Sequence, residues 1–153
     1  MSLRIIKSGR AQSSNRATVP GTTPPLALPF FATTVQAGFP SPADDYLEGA
    51  LDLNEHLIRR PAATFFLRVL GESMTGAGIH SGDLLIVDRS MHPTDGRIVI
   101  AIIDGELTVK RLSQQRGQVR LMPENPRYLP IEIRDGQDLQ IWGVVIHVIH
   151  SFI

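Results

Sequence analysis

Residues 97–112 read RIVIAIIDGELTVKRL and predict a β-hairpin that lies partly in the core. Residues 97–103 are apolar at almost every position, which is typical of a strand covered on both faces. Asp104-Gly105 is a strong signal for a two-residue hairpin turn. Residues 106–112 return as a strand whose alternation places Glu106, Thr108, Lys110 and Leu112 on one face.

Further short strands are predicted on both sides of this hairpin. They are rich in branched or aromatic residues, are bounded by Gly and Pro turns, and cover residues 64–70, 83–88, 118–122 and 140–149. Residues 71–82 form a glycine-rich loop. Leu53, Leu57 and Ile58 recur at helical spacing and predict one short amphipathic helix, which Pro61 is expected to end. Together these elements predict a compact, mainly β domain.

The N-terminal segment has a different composition. Residues 1–36 contain Pro20, Pro24, Pro25 and Pro29 among Ser, Thr and Gly, which predicts an extended or disordered arm. Residues 1–43 carry four basic side chains and no acidic one, whereas the remainder carries 11 basic and 15 acidic residues. An arm that folds back onto an acidic body is therefore electrostatically reasonable, and direct sequence-specific DNA binding by the body is not expected.

Composition excludes several classes of site. The chain has no cysteine, so disulfides, thiolate nucleophiles and cysteine-based zinc sites are excluded. The five histidines have no metal-ligand spacing, and no phosphate-binding glycine loop is present, so neither a metal nor a cofactor is expected. No apolar run reaches the ~20 residues that a membrane-spanning helix needs. Pro29 interrupts the apolar stretch near residue 30, which disfavours a signal peptide.

Three local features could carry chemistry. Ser73 follows Gly71-Glu72 just after a predicted strand, although most loop serines only form turns or caps. Lys110 lies in a ribbon beside the core, where desolvation would lower its pKa and let it accept a proton from a serine hydroxyl. Ala37-Gly38 places two small residues at a proline-flanked junction that suits an extended protease substrate.

Six segments resemble UmuD/MucA-type mutagenesis proteins, whose wider relatives are the self-cleaving LexA-like repressors. They occur in the family's order between residues 37 and 148 and read GFPSPADDY (38–46), LDLN (51–54), GESM (71–74), GDLLIVD (82–88), DGELTVK (104–110) and WGVVIH (142–147). The resemblance implies a LexA C-terminal-like, β-clip peptidase domain at 38–153 with one short helix. It also implies an extended arm at 1–37 that self-cleavage removes.

The resemblance implies a serine endopeptidase with a serine–lysine dyad. Ser73 is the expected nucleophile and Lys110 the expected general base, and the bond to be cut lies between Ala37 and Gly38. The backbone N–H groups of Glu72 and Ser73 are expected to donate to the oxyanion. The arm could reach its own active site or that of a dimer mate.

The resemblance also implies partners and a role. The processed form is expected to work in the cytoplasm as a homodimer with a UmuC-like, Y-family DNA polymerase subunit. It would serve error-prone translesion synthesis in the SOS response to DNA damage, and a RecA filament on single-stranded DNA would stimulate cleavage. Two alternatives are a non-cleaving β-rich binding module of the same fold and a signal-peptidase-like enzyme that acts on other proteins.

Overall fold

A computed structural model describes residues 4–5, 25–31, 34–35, 37–39 and 47–153. The chain divides into two compact units, and the smaller one comprises Gln12–Arg59. The larger unit comprises Met1–Ala11 together with Arg60–Ile153. In the described residues no helix is long and apolar enough to cross a bilayer.

The described elements are mostly strands, as the sequence predicted. In chain order they are β1 (Arg4–Ile5), β2 (Ala27–Phe31), β3 (Leu47–Asp52), α1 (Leu53–Leu57), β4 (Thr64–Arg68), β5 (Leu84–Asp88), β6 (Ile98–Ile103), β7 (Glu106–Gln115), β8 (Gln118–Met122), β9 (Ile131–Glu132) and β10 (Leu139–Ile149). Short 3₁₀ turns occur at Pro61–Ala63 and Thr75–Ala77. The prediction of a mainly β fold with one short helix is confirmed.

The larger unit is built on a sheet with the strand order β4-β5-β10-β6-β7-β8-β9. Strand β10 is 11 residues long because its first half pairs with β6 and its second half with β5. All pairings along this path are antiparallel. Strand β1 pairs with β10 in parallel at Gln140 and Ile141.

Two apolar clusters form the core, and β6 contributes to both. Val99 and Ala101 belong to the cluster that contains Leu112 and Leu121. Ile100 belongs to the other cluster, because successive strand residues point to opposite faces. The expectation that this strand is covered on both faces is therefore confirmed. Each fully buried Val, Leu or Ile side chain contributes roughly 1.5–3 kcal/mol to stability.

The β6–β7 hairpin has the predicted two-residue turn. Ile103 pairs with Glu106, so only Asp104 and Gly105 connect the strands. Their φ values are 49° and 88°. Two positive φ values are characteristic of a type I′ turn, which explains why Asp-Gly occurs at this position.

The smaller unit contains the β2–β3 pair and helix α1. The Asp52 side chain accepts a hydrogen bond from Asn54 N at 2.8 Å and caps the helix. The helix ends at Leu57, so the prediction that Pro61 ends it is wrong, and Pro61 instead begins a 3₁₀ turn. The β2–β3 pairing was not predicted, because Pro29 and Gly49 are poor strand residues.

Candidate active site

Ser73 lies in the loop that connects β4 to β5. Gly71 has a φ of 98°, a conformation that favours glycine and turns the chain after β4. Immediately after Ser73, the side chain of Met74 is 1% exposed and is packed in the apolar cluster around Val69 and Leu85. The buried methionine thus anchors the loop, while the adjacent serine is only half-buried.

Lys110 lies in the middle of β7 and is 8% exposed. Its Nζ is 2.7 Å from Ser73 Oγ, 3.0 Å from Thr108 Oγ1 and 2.9 Å from the Val109 carbonyl oxygen. All three partners are neutral, so none offsets the loss of hydration of an ammonium group. Burial accordingly lowers the pKa of Lys110 below its ordinary value of 10.5.

A cleft of roughly 270 Å³ opens beside this pair. Its walls are mainly aliphatic, and its lining residues are Leu67, Arg68, Leu70, Ser73, Leu85, Ile100, Leu107, Thr108, Val109 and Lys110. The serine hydroxyl and the lysine amine are therefore both accessible from this cleft.

Glu124 and Asn125, which follow β8, form hydrogen bonds to the backbone of the loop that carries Ser73. Glu124 N donates to Ser73 O at 2.8 Å, and Glu124 O accepts from Gly76 N at 2.6 Å. The Glu124 carboxylate also forms an ion pair with Arg111 Nε, next to Lys110 on β7. Asn125 Nδ2 donates to Glu72 O at 2.8 Å. Neither residue was predicted from the sequence, and the proline-bounded segment PENP (123–126) is the one signal that could have indicated a shaped loop.

The structure brings some of the sequence-predicted site residues together. Ser73 and Lys110 are in direct contact, and Glu72 precedes the serine at an exposed position. Ala37 and Gly38 are also exposed and belong to the smaller unit. The described residues contain no group of three His, Cys, Asp or Glu side chains that could hold a metal ion.

A second polar contact supports the same loop at its other end. Asp83 is 3% exposed, and its carboxylate lies 2.7 Å from His80 N and 2.5 Å from His150 Nδ1. Burial alone would raise the pKa of Asp83. The hydrogen bonds and charges of His80 and His150 lower it, and their combined effect is larger than that of burial, so the net shift is downward. Ser81, within this turn, accepts a hydrogen bond from Gly71 N at 3.2 Å.

Comparisons with known proteins agree with the sequence resemblance. The family model described as Peptidase S24-like matches residues 29–146. Protein SamA of Salmonella typhimurium is 53% identical over 123 residues, which cover 80% of this chain and 85% of that protein. Protein MucA of Escherichia coli is 47% identical over 122 residues, covering 79% and 83%. LexA repressor 1 of Geobacter sulfurreducens is 42% identical over 142 residues, covering 91% and 69%. The predicted similarity to MucA-type proteins is confirmed.

Proposed function

This chain belongs to the peptidase S24-like family, and from that premise we propose that it is a serine endopeptidase that cuts its own Ala37–Gly38 bond. Ser73 is the nucleophile and Lys110 the general base. The single observation that carries the proposal is the 2.7 Å contact between Ser73 Oγ and a buried lysine whose other partners are also neutral.

The first step is formation of an acyl-enzyme. Neutral Lys110 takes the proton of Ser73 Oγ as that oxygen attacks the Ala37 carbonyl carbon. The resulting oxyanion accepts hydrogen bonds from the backbone N–H groups of Glu72 and Ser73, and one such donor typically contributes ~3 kcal/mol. Lys110 then returns the proton to the Gly38 nitrogen, and the bond between Ala37 and Gly38 breaks.

The second step regenerates the serine. Lys110, neutral again, takes a proton from water, whose oxygen attacks the ester carbon of Ala37. Collapse of this intermediate breaks the ester bond to Ser73 Oγ, which takes the proton back from Lys110, and leaves an Ala37 carboxylic acid that ionises into solvent. The products are an arm of residues 1–37 and a domain of residues 38–153. Since the substrate bond belongs to the catalyst chain, the reaction is a one-time switch.

The biological role follows from the family resemblance. The processed domain acts in the cytoplasm as a homodimeric accessory subunit of a Y-family, error-prone polymerase during the SOS response. A RecA filament on single-stranded DNA stimulates cleavage. Such a filament needs to add no catalytic group, because it can act by raising the population of chains whose arm is docked for attack.

The test is incubation of the purified chain between pH 6 and pH 11, with the fragments identified by intact-mass measurement. Wild type should release a 37-residue arm faster as the pH rises. Ser73→Ala and Lys110→Ala should abolish release, whereas Ser113→Ala, on the same strand as Lys110, should leave the rate unchanged. Cutting after Ala37 in Ser73→Ala would refute the proposal, and an uncut wild type would favour the non-cleaving binding module.

A further inference from the structure

The peptide group between Glu72 and Ser73 accepts a hydrogen bond from a side chain at its carbonyl oxygen. Asn125 Nδ2 donates to Glu72 O at 2.8 Å, and the next peptide group is held by Glu124 N, which donates to Ser73 O at 2.8 Å. Both peptide groups that flank the serine α-carbon are thus fixed by consecutive residues of one segment. Gly76 N adds a third contact by donating to Glu124 O at 2.6 Å.

The geometry of a peptide group couples these contacts to the cleft. The C=O of Glu72 and the N–H of Ser73 belong to one planar trans unit and point in opposite directions. A donor that holds Glu72 O therefore also sets the direction of the Ser73 N–H. Within the described residues, neither the Ser73 N–H nor the Glu72 N–H donates to a backbone acceptor, so both remain available to an oxyanion.

The hydrogen bonds of Asn125 define which way its amide faces. Its Oδ1 accepts from Arg127 N at 3.0 Å, which directs Nδ2 toward Glu72 O. Pro126 favours an extended conformation at Asn125 and so restricts the backbone that presents this amide. The ion pair between Glu124 and Arg111 ties the same segment to the strand of Lys110.

We propose that Asn125 is a positioning residue for the oxyanion site, because it orients the Glu72–Ser73 peptide so that the Ser73 N–H points at the Ala37 carbonyl oxygen in the transition state. This inference rests on the proposed self-cleavage. Asn125 touches neither the substrate nor Lys110, and it acts only through the backbone of the nucleophile loop.

Asn125→Asp and Asn125→Ala separate this role from a purely structural one. Asp retains the oxygen that accepts from Arg127 N but replaces the donor with a carboxylate, which repels the Glu72 carbonyl. Ala loses both contacts and introduces no repulsion. A role limited to shaping the turn predicts that Asp preserves function better than Ala, whereas a positioning role predicts the reverse order.

The measurement is the self-cleavage rate of the full chain as a function of pH, with thermal unfolding followed in parallel. We expect the maximal rate to fall at least about tenfold in Asn125→Asp and less in Asn125→Ala, given that loss of a whole oxyanion donor costs ~10²–10³-fold. The pH of half-maximal rate should stay at its wild-type value in Asn125→Ala, since the contacts of Lys110 are unchanged, whereas the new carboxylate of Asn125→Asp should move it upward by favouring the charged form of Lys110.

The outcomes distinguish the inference from its premise. Rates in both variants equal to wild type, with cutting still lost in Ser73→Ala, would overturn the role of Asn125 and leave self-cleavage intact. A slower Asn125→Ala than Asn125→Asp, or a shifted pH of half-maximal rate in Asn125→Ala, would assign Asn125 to loop structure instead. A wild type that stays uncut at alkaline pH would overturn both proposals.

Discussion

Lys110 lies directly across from Val99 in the β6–β7 hairpin, and Val99 is completely buried. The lysine stem thus begins at a position whose cross-strand neighbour belongs to the core. Its amine then reaches only neutral oxygens, of which Ser73 Oγ is the nearest at 2.7 Å. The positive charge of a protonated Lys110 has no anionic partner among these contacts. The neutral amine, which the proposed general base requires, is therefore favoured.

The pKa of Lys110 should be directly measurable. The chain contains two lysines, so Lys7→Arg leaves Lys110 as the single one. The NMR titration of its labelled ε-carbon, in a Ser73→Ala background that blocks cleavage, should show a pKa below 10.5, because burial disfavours the ammonium. Unfolding in denaturant should return it to the ordinary value of 10.5. A folded-state pKa at or above 10.5 would contradict the proposed general base.

The same shift predicts how stability varies with pH. The unfolded chain binds more protons than the folded chain between the lowered pKa and the ordinary one, so the free energy of unfolding should rise with pH across that window. Lys110→Met removes the charge but retains an unbranched stem. The difference in free energy of unfolding between this variant and the Lys7→Arg, Ser73→Ala chain should therefore change with pH between the lowered pKa of Lys110 and its ordinary pKa. Below the lowered pKa the difference should be constant.

Thr108→Val should impair the base without removing it. Thr108 Oγ1 is 3.0 Å from Lys110 Nζ, and valine replaces that oxygen with a methyl group of similar size. Because an acceptor for the ammonium is lost, the pH of half-maximal self-cleavage should move down. The maximal rate should fall severalfold, roughly the effect of one net hydrogen bond of about 1 kcal/mol. Thr75→Val, in the 3₁₀ turn, is the control. Equal rates in wild type, Thr108→Val and Thr75→Val would contradict the role of Thr108 as a partner of Lys110.

Gly76→Ala should destabilise the serine loop. A Cβ at this position would overlap the carbonyl oxygen of Glu124, which accepts the Gly76 N–H. The backbone must shift to relieve the overlap, so we expect a loss of about 1–3 kcal/mol in the free energy of unfolding together with slower self-cleavage. Thr75→Ala in the same turn should cost less. Urea denaturation of both variants checks the difference, and unchanged stability in Gly76→Ala would contradict the close contact.

Asp83→Asn should reveal the contribution of the buried carboxylate. The pKa of Asp83 is held below 3.8 by its contacts with His80 and His150, despite the opposing effect of burial. Its stabilisation is therefore fully present above about pH 3.8 and is lost as the pH falls through the lowered value. The variant should be less stable than wild type at pH 6, and the difference should narrow as the pH falls below about 3.8. A difference that does not vary with pH would rule out the lowered pKa of Asp83.

Much of the sheet could be predicted because its signals are local. The Asp104-Gly105 turn, the covered strand β6 and the strand at Gln118–Met122 each follow from residue types within a few positions. The pairing of β2 with β3 could not be predicted in this way, because Pro29 and Gly49 interrupt the local pattern that favours a strand.

The amino-acid sequence alone determined the strand-rich class, the hairpin that carries Lys110 and the family resemblance, since alternation and turn chemistry act between near neighbours. Only the tertiary structure decided that Ser73 and Lys110 meet, and that Glu124 and Asn125 form hydrogen bonds to the backbone of the serine loop. The physical reason is the order of the sheet. Strand β10, from the end of the chain, lies between β5 and β6, and no local pattern specifies which distant strand occupies that position.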